Sequence, residues 1–270
     1  MNAELPKQLR WADLPLGDFD EDRSAILEPH HIAGNLVVPE RVVLCFFYDV
    51  LAARGADPAS GWAEIGARDL ENGPRVIWQV GEGDDAVAVL NPGTGAPTSD
   101  TKLEVDIAAG ARTVIAVGGA GARVDELALG HVVIPTSAVR DEGTSFHYLP
   151  PTRSIDLDAD VADRLAAHLA ERKVPHRQAA VWTTDGLFRE TPARVAQRRD
   201  EGCVLVDMEC AALASVCRFR GVSFGQMLYA GDSLSGEQWD HRGWQQATGV
   251  RETLLDLAID AVRAVGGSAK

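Results

Sequence analysis

Nowhere in the 270-residue sequence do apolar residues run unbroken for the ~18 to 20 positions that a membrane-spanning helix requires. The opening stretch, MNAELPKQLRWADLPLGDFDEDRS, also lacks the basic and apolar blocks of a secretory leader, so the expectation is a cytoplasmic protein with no membrane partner. Basic charge is scarce: 26 Lys and Arg stand against 40 Asp and Glu, a formal net charge of -14. Gripping a nucleic-acid backbone requires clustered Lys and Arg to neutralise phosphates, so this balance argues against nucleic acid as a partner. Small solutes can still bind in a locally positive pocket. Cys45, Cys203, Cys210 and Cys217 form no CxxC pair, and buried thiols are expected in place of disulfides, with no metal site and no cofactor. Internal repeats and low-complexity tracts are missing as well.

What is present suits one large α/β domain, because 46% hydrophobic residues are enough to bury a full core. Residues 1–35 are polar, acidic and punctuated by proline, and read as an extension with little regular structure; residues 36–270 read as a single domain. The run Val42 to Phe47 is a strand covered on both faces. Val76 to Val80 and Ala86 to Leu90 flank the turn-rich Gly81 to Asp85, which predicts an antiparallel pair. A helix capped by Thr98 or Ser99 carries Leu103 and Ile107 on one face and stops at Gly110. Strands follow at Thr113 to Val117, His131 to Pro135, Ala179 to Thr183 and Phe224 to Ala230, interleaved with helices at Asp160 to Arg172 and Ala211 to Arg220. Leu254, Leu255, Ala258, Val262 and Val265 place one apolar face on a C-terminal helix.

In a mostly parallel sheet, ligands bind beyond the carboxyl ends of the strands. Four segments in such positions stand out. Gly93-Thr94-Gly95-Ala96-Pro97 lets a ligand approach backbone N–H groups at a helix start, although a tight turn explains it equally. Gly118-Gly119-Ala120-Gly121 is a small-residue turn that leaves room for a flat ring, or for close packing of strand on helix. Val206 to Ala212 sets Asp207 and Glu209 around Met208 at a strand-to-helix junction, where acidic residues also serve as caps and dipole partners. Asp232 follows an apolar strand, as an N-cap or a general acid.

These segments resemble those of the nucleoside phosphorylase superfamily, which includes purine nucleoside phosphorylases, uridine phosphorylases and methylthioadenosine nucleosidases. Gly93 to Pro97 resembles the family's TGIGGP loop, Leu129 to Tyr148 its strand running into a GxSLHF-like turn, Thr184-Asp185-Gly186-Leu187-Phe188 its SDxFY stretch, and Val206 to Ala212 its (V/Y)EMEsA segment. They fall in the family's order across roughly residues 42 to 265. The resemblance implies a three-layer α/β/α sandwich with a mixed central sheet, assembled as a homo-oligomer: a dimer, or a trimer or hexamer built from dimers. It also implies that Glu209 holds the ribose hydroxyls, that Met208 packs on the sugar, and that Leu187 or Phe188 stacks on the base. Gly119, Ala120 and Gly121 would leave room for the base, and an anion would lie beside the loop of Gly93, Thr94 and Gly95. Asp232 would protonate or hydrogen-bond N7 of a purine. Pyrimidine-cleaving relatives carry Gln and Arg where this chain has Thr191 and Ala193, which favours a purine-type base.

The match departs from the family at the phosphate. A GDPxR-type loop is replaced by Phe46-Phe47-Tyr48-Asp49-Val50, and a second arginine by Ala116. Arg75 lies roughly where a neighbouring subunit lends an arginine, and His31, with His30, where one lends a histidine to the sugar. The expected activity is cleavage of the N-glycosidic bond of a nucleoside by phosphorolysis, with phosphate as co-substrate. The alternatives are hydrolysis by water and a relative that binds nucleosides without cleaving them. Gln238 to Trp244 is a candidate flap over the base.

Overall fold

Val42 to Cys45 are all fully buried in β1 (Arg41–Cys45), as a strand covered on both faces requires. The computed structural model describes residues 13–70, 73–236 and 238–266. Its ten strands form one mixed sheet. β1 runs parallel to β4 (Val87–Leu90) on one side and β5 (Thr113–Ala122) on the other. β3 (Gly73–Val80) pairs antiparallel with β4, as the Gly81 to Asp85 turn predicts, and β2 (Ala63–Leu70) extends that edge. Beyond β5 lie β9 (Cys203–Asp207), β8 (His176–Thr184), β6 (Val132–Asp141) and β10 (Ser223–Ser233), with β7 (Ser154–Asp156) beside β6. Because β10 pairs with both β6 and β5, strands β5, β9, β8, β6 and β10 close into a ring, while the β2 side stays open.

Helices cover both faces. α1 (Pro29–Ala33), α3 (Ala96–Ala108) and α6 (Cys210–Arg220) pack over one core that includes Leu103, Leu213 and Leu44. α2 (Tyr48–Ala56), α4 (Ala159–Glu171) and α7 (Thr248–Gly266) pack over a second that includes Val43, Leu165 and Leu255. This is the three-layer arrangement with a mixed central sheet. α5 (Pro192–Asp200) lies against β9. The fourfold spacing of Val161, Leu165 and Leu169 makes the buried face of α4, and Asp158 caps it by accepting from the Asp160 and Val161 N–H groups. Leu254, Leu255, Ala258, Val262 and Val265 make the buried face of α7. All four cysteines are free and buried. No helix among the described residues is long and apolar enough to cross a membrane.

Local structure departs from the sequence expectation in several places. α3 is capped by Gly95, not by Thr98 or Ser99: Gly95 takes φ +90°, Pro97 fits the first turn, and the Thr98 and Ser99 N–H groups both bond to the Gly95 carbonyl. Ser99 turns its hydroxyl back to the Gly93 carbonyl instead, at 2.7 Å. Gly118 to Gly121 is strand and not turn, since β5 continues to Ala122 with Gly118 to Ala120 paired to Leu228 to Ala230. The missing side chains admit a neighbour: a Cβ on Gly119 would meet the Tyr229 ring at 3.1 Å. β10 likewise runs on to Ser233, so Asp232 lies inside the strand. Of the expected extension, residues 1–12 lie outside the described residues; Pro15–Gly17 forms a single turn of 3-10 helix, and Pro29–Ala33 is helical.

Candidate active site

The carboxyl ends of β1, β4, β5, β8, β9 and β10 open on a cavity of about 650 Å³, within the size range of small-molecule sites. Its walls include Phe46 and Phe47 after β1, Thr94 after β4, Gly118 to Gly121 of β5, Leu187, Phe188 and Glu190 after β8, and Val206 to Glu209 at the end of β9. β10 contributes Gln226, Leu228, Tyr229, Gly231 and Asp232, and Leu234, Trp239, Trp244 and Arg251 complete the lining.

The two carboxylates at the end of β9 divide their work. Asp207 is tied into the fold: it accepts from Thr183 Oγ1 at 2.7 Å and from the Cys210 N–H at 2.7 Å, while Thr183 Oγ1 in turn accepts from the Ala211 N–H at 3.0 Å. It therefore caps the start of α6, the structural role open to acidic residues there. Glu209 is 7% exposed and borders the cavity. Its Oε1 accepts from the Gly95 N–H at 2.6 Å, which joins the glycine loop to the acid. Burial first, and then the charge of Asp207, push the Glu209 carboxyl up, and the Gly95 hydrogen bond opposes them. Asp232 stands elsewhere on the same wall, where its Oδ2 accepts from Trp239 Nε1 at 2.6 Å. The Ser233–Asp240 bridge folds the Gln238 to Trp244 segment back over β10, so that Trp239 and Trp244 reach the cavity.

Of the residues singled out from sequence, Thr94, Gly119, Ala120, Gly121, Leu187, Phe188, Met208, Glu209 and Asp232 share this cavity. Gly93, Gly95, Arg75 and His31 do not line it. Gly95 acts through its N–H on Glu209. Arg75 donates to the Asn91 carbonyl at 3.0 Å and sits behind Gly93 with Lys102, whose amine burial and Arg75 hold down at about 8. His31 is exposed on α1, where its Nδ1 accepts from the Glu28 N–H.

Sequence reasoning missed three polar wall residues. Gln226 is a fully buried amide in the otherwise apolar run Phe224 to Ala230, and that break in the pattern was the available signal. Arg251 opens α7 and pairs with both oxygens of Asp49, its guanidinium 5.0 Å from the Phe47 ring centre. It is the only cation among the described residues that line the cavity. Glu190 follows the 3-10 turn Leu187–Arg189, and nothing in its neighbours marks it.

Comparison with known proteins follows the same lines. The family model of the phosphorylase superfamily matches residues 69–264. A guanosine phosphorylase of Halorubrum lacusprofundi is 23% identical over 185 residues, covering 66% of this chain and 76% of that protein. The uridine phosphorylase of Vibrio fischeri superposes with a TM-score of 0.67 at 22% identity, over 87% of this chain and 94% of that one. The AMP nucleosidase of Bacteroides thetaiotaomicron does so with a TM-score of 0.65 at 23% identity, over 83% and 87%.

Proposed function

The chain belongs to the phosphorylase superfamily of nucleoside phosphorylases and nucleosidases, and from that premise we propose that it cleaves the N-glycosidic bond of a purine-type nucleoside, passing the sugar to phosphate. The observation that carries this reading is the pair of carboxylates, Glu209 and Asp232, on the wall of one nucleoside-sized cavity. Glu209, oriented by the Gly95 N–H, accepts hydrogen bonds from the ribose hydroxyls. Ionised beside the sugar, the same carboxylate favours the cationic character that the sugar acquires as the bond to the base breaks. Met208 packs on the sugar, and Leu187 and Phe188 at the mouth cover the base. Asp232 supplies a proton or hydrogen bond to the departing base, which makes it a better leaving group. Trp239 steadies that carboxylate from the flap.

Phosphate is the first choice of acceptor because the Halorubrum and Vibrio relatives are phosphorylases. Water is the second, and one observation favours it: the single lining cation, Arg251, is already paired with Asp49, while Arg75 and Lys102 sit behind the Gly93 loop. A dianion gains little from a cation that another carboxylate neutralises.

Release of free base from inosine, guanosine, adenosine and methylthioadenosine, with and without phosphate, tests both readings. Release only with phosphate supports phosphorolysis, and release without it moves the assignment to hydrolysis. No release from any nucleoside overturns the catalytic reading. In an active enzyme, Asp232→Asn lowers kcat on purine nucleosides by roughly ten- to a thousandfold with folding intact, since it removes a proton donor at nearly constant shape. Parent-like turnover in that variant removes Asp232 from the mechanism.

A further inference from the structure

The two oxygens of Asp232 stand in different surroundings. Oδ2 accepts from the indole Nε1 of Trp239 at 2.6 Å. Oδ1 lies over the glycine strand that floors the cavity, 3.6 Å from the point where a Cβ on Gly121 would sit. The protein holds one oxygen and leaves the other toward the cavity floor.

The backbone brings Trp239 to this place. Ser233 N–H donates to the Asp240 carbonyl at 2.8 Å and Asp240 N–H to the Ser233 carbonyl at 2.9 Å, a pair that turns the chain back so that Trp239 returns beside β10. The returning segment is anchored in turn: the Asp240 carboxylate accepts from the Arg242 N–H, the Arg242 guanidinium donates to the Leu127 carbonyl at 2.6 Å, and the His241 ring meets the Trp239 ring edge-on at 5.2 Å. Trp239 itself is 60% exposed. A tryptophan this exposed contributes little to the core, and its one polar atom is committed to Asp232.

An indole N–H donates and does not accept. Its bond to a carboxylate is roughly twice as strong when the carboxylate is ionised as when it is protonated. In the cleavage proposed above, a proton passes from Asp232 Oδ1 to N7 of the purine, the electron pair of the glycosidic bond goes to the base, and C1′ passes to the acceptor, which releases the proton that restores Asp232. The Trp239 bond therefore strengthens as Asp232 gives up its proton, and an interaction that grows toward the transition state raises kcat. We propose that Trp239 is the positioning residue for proton delivery to the leaving base: its N–H fixes Oδ2, presents Oδ1 to the base and stabilises the carboxylate as it forms. This rests on the glycosidic-cleavage reading given above.

Trp239→Phe keeps an aromatic ring and removes the N–H, and the exposure of the site leaves the fold intact. The test compares kcat and KM of parent and variant on the preferred purine nucleoside and on its N7-methylated form, whose ring already carries a positive charge, so that its base departs without a proton. On the unmethylated nucleoside kcat falls roughly tenfold with KM within about twofold, and on the methylated one kcat changes less than about twofold. In an Asp232→Asn background Trp239→Phe has no further effect, because no charge then develops at Oδ2. Equal losses on both nucleosides mark a segment that only closes the site, and they overturn the proposal, as do an unchanged kcat on the unmethylated nucleoside and losses that add to those of Asp232→Asn. If the parent does not cleave the methylated nucleoside, additivity with Asp232→Asn decides. A parent that cleaves no nucleoside fails the functional reading and the proposal with it, whereas an active parent with an unimpaired Trp239→Phe variant fails the proposal alone.

Discussion

Met208 alone separates Asp207 from Glu209, and both acids border the cavity, yet Asp207 caps α6 while Glu209 accepts from the Gly95 N–H. The strand-to-helix junction enforces the difference, since Asp207 ends β9 while Glu209 leads into α6. Residue types were legible here and side-chain directions were not: a carboxylate at a helix start reads as cap or as ligand, and here Asp207 takes the capping hydrogen bond from the Cys210 N–H while Glu209 takes one from the Gly95 N–H. Glu190 was illegible for another reason. Its place on the cavity wall follows the 3-10 turn Leu187–Arg189, and neither periodicity nor spacing encodes that turn. For Glu209 the consequence is specific. Glu209→Gln retains the acceptor for the Gly95 N–H but cannot ionise beside the developing cation, so kcat/KM on the preferred nucleoside falls by roughly a hundredfold or more, in the range of removing one transition-state contact. Its melting temperature holds or rises, because the burial of charge and the repulsion from Asp207 are both relieved. Parent-like kinetics in a folded Glu209→Gln protein would remove this residue from the sugar site.

At the scale of elements, helices were easier to read than strand ends. The buried faces of α4 and α7 follow their apolar spacing because one-sided burial leaves a periodic record. The second half of β5 leaves none: glycine and alanine have little strand preference, and Gly118 to Ala120 become strand because β10 pairs with them. The small residues that hide this strand from pattern reading are the same ones that leave space for the cavity. Where α3 gives way to β5, glycine is required on two counts. Gly110 has φ +131°, and a Cβ there would lie 2.8 Å from the Val38 carbonyl oxygen, in the segment where Val38 N–H bonds to the Ala109 carbonyl. Gly110→Ala therefore costs about 1–3 kcal/mol, since neither the dihedral nor a backbone contact relaxes freely. Urea unfolding checks this through a lower midpoint at unchanged slope; an unchanged midpoint would mean that the junction is more plastic than its geometry implies.

For the whole molecule, alternation of strands and helices along the chain made the α/β class legible, but closure of β5, β9, β8, β6 and β10 into a ring depends on β10 finding two partners distant in sequence. The acidic excess has a comparable global effect. Burial raises the carboxyl groups of Asp100, Glu142, Glu190, Asp207 and Glu209, and both Asp100 oxygens lack a hydrogen-bond partner among the described residues. A carboxyl raised in the fold still holds its proton where the unfolded chain has released it, so the folded state binds more protons and stability falls as pH climbs. The fall begins above the ordinary carboxyl values of 3.8 and 4.5 and continues through about 7, where Glu190 titrates. Self-repulsion at a net charge of -14 acts in the same direction. His168, lowered by burial, opposes it by gaining stability as pH rises toward 6.5, and Lys102 opposes it only above about 8. Five groups against one predict a melting temperature lower at pH 8 than at pH 5.5. Asp100→Asn, which keeps the shape of the neutral acid, flattens that slope by stabilising the protein more at pH 8 than at pH 5.5. Calorimetry across this range decides it: a melting temperature that climbs with pH, or a slope that Asp100→Asn leaves intact, would mean that these buried acids find partners that hold them ionised.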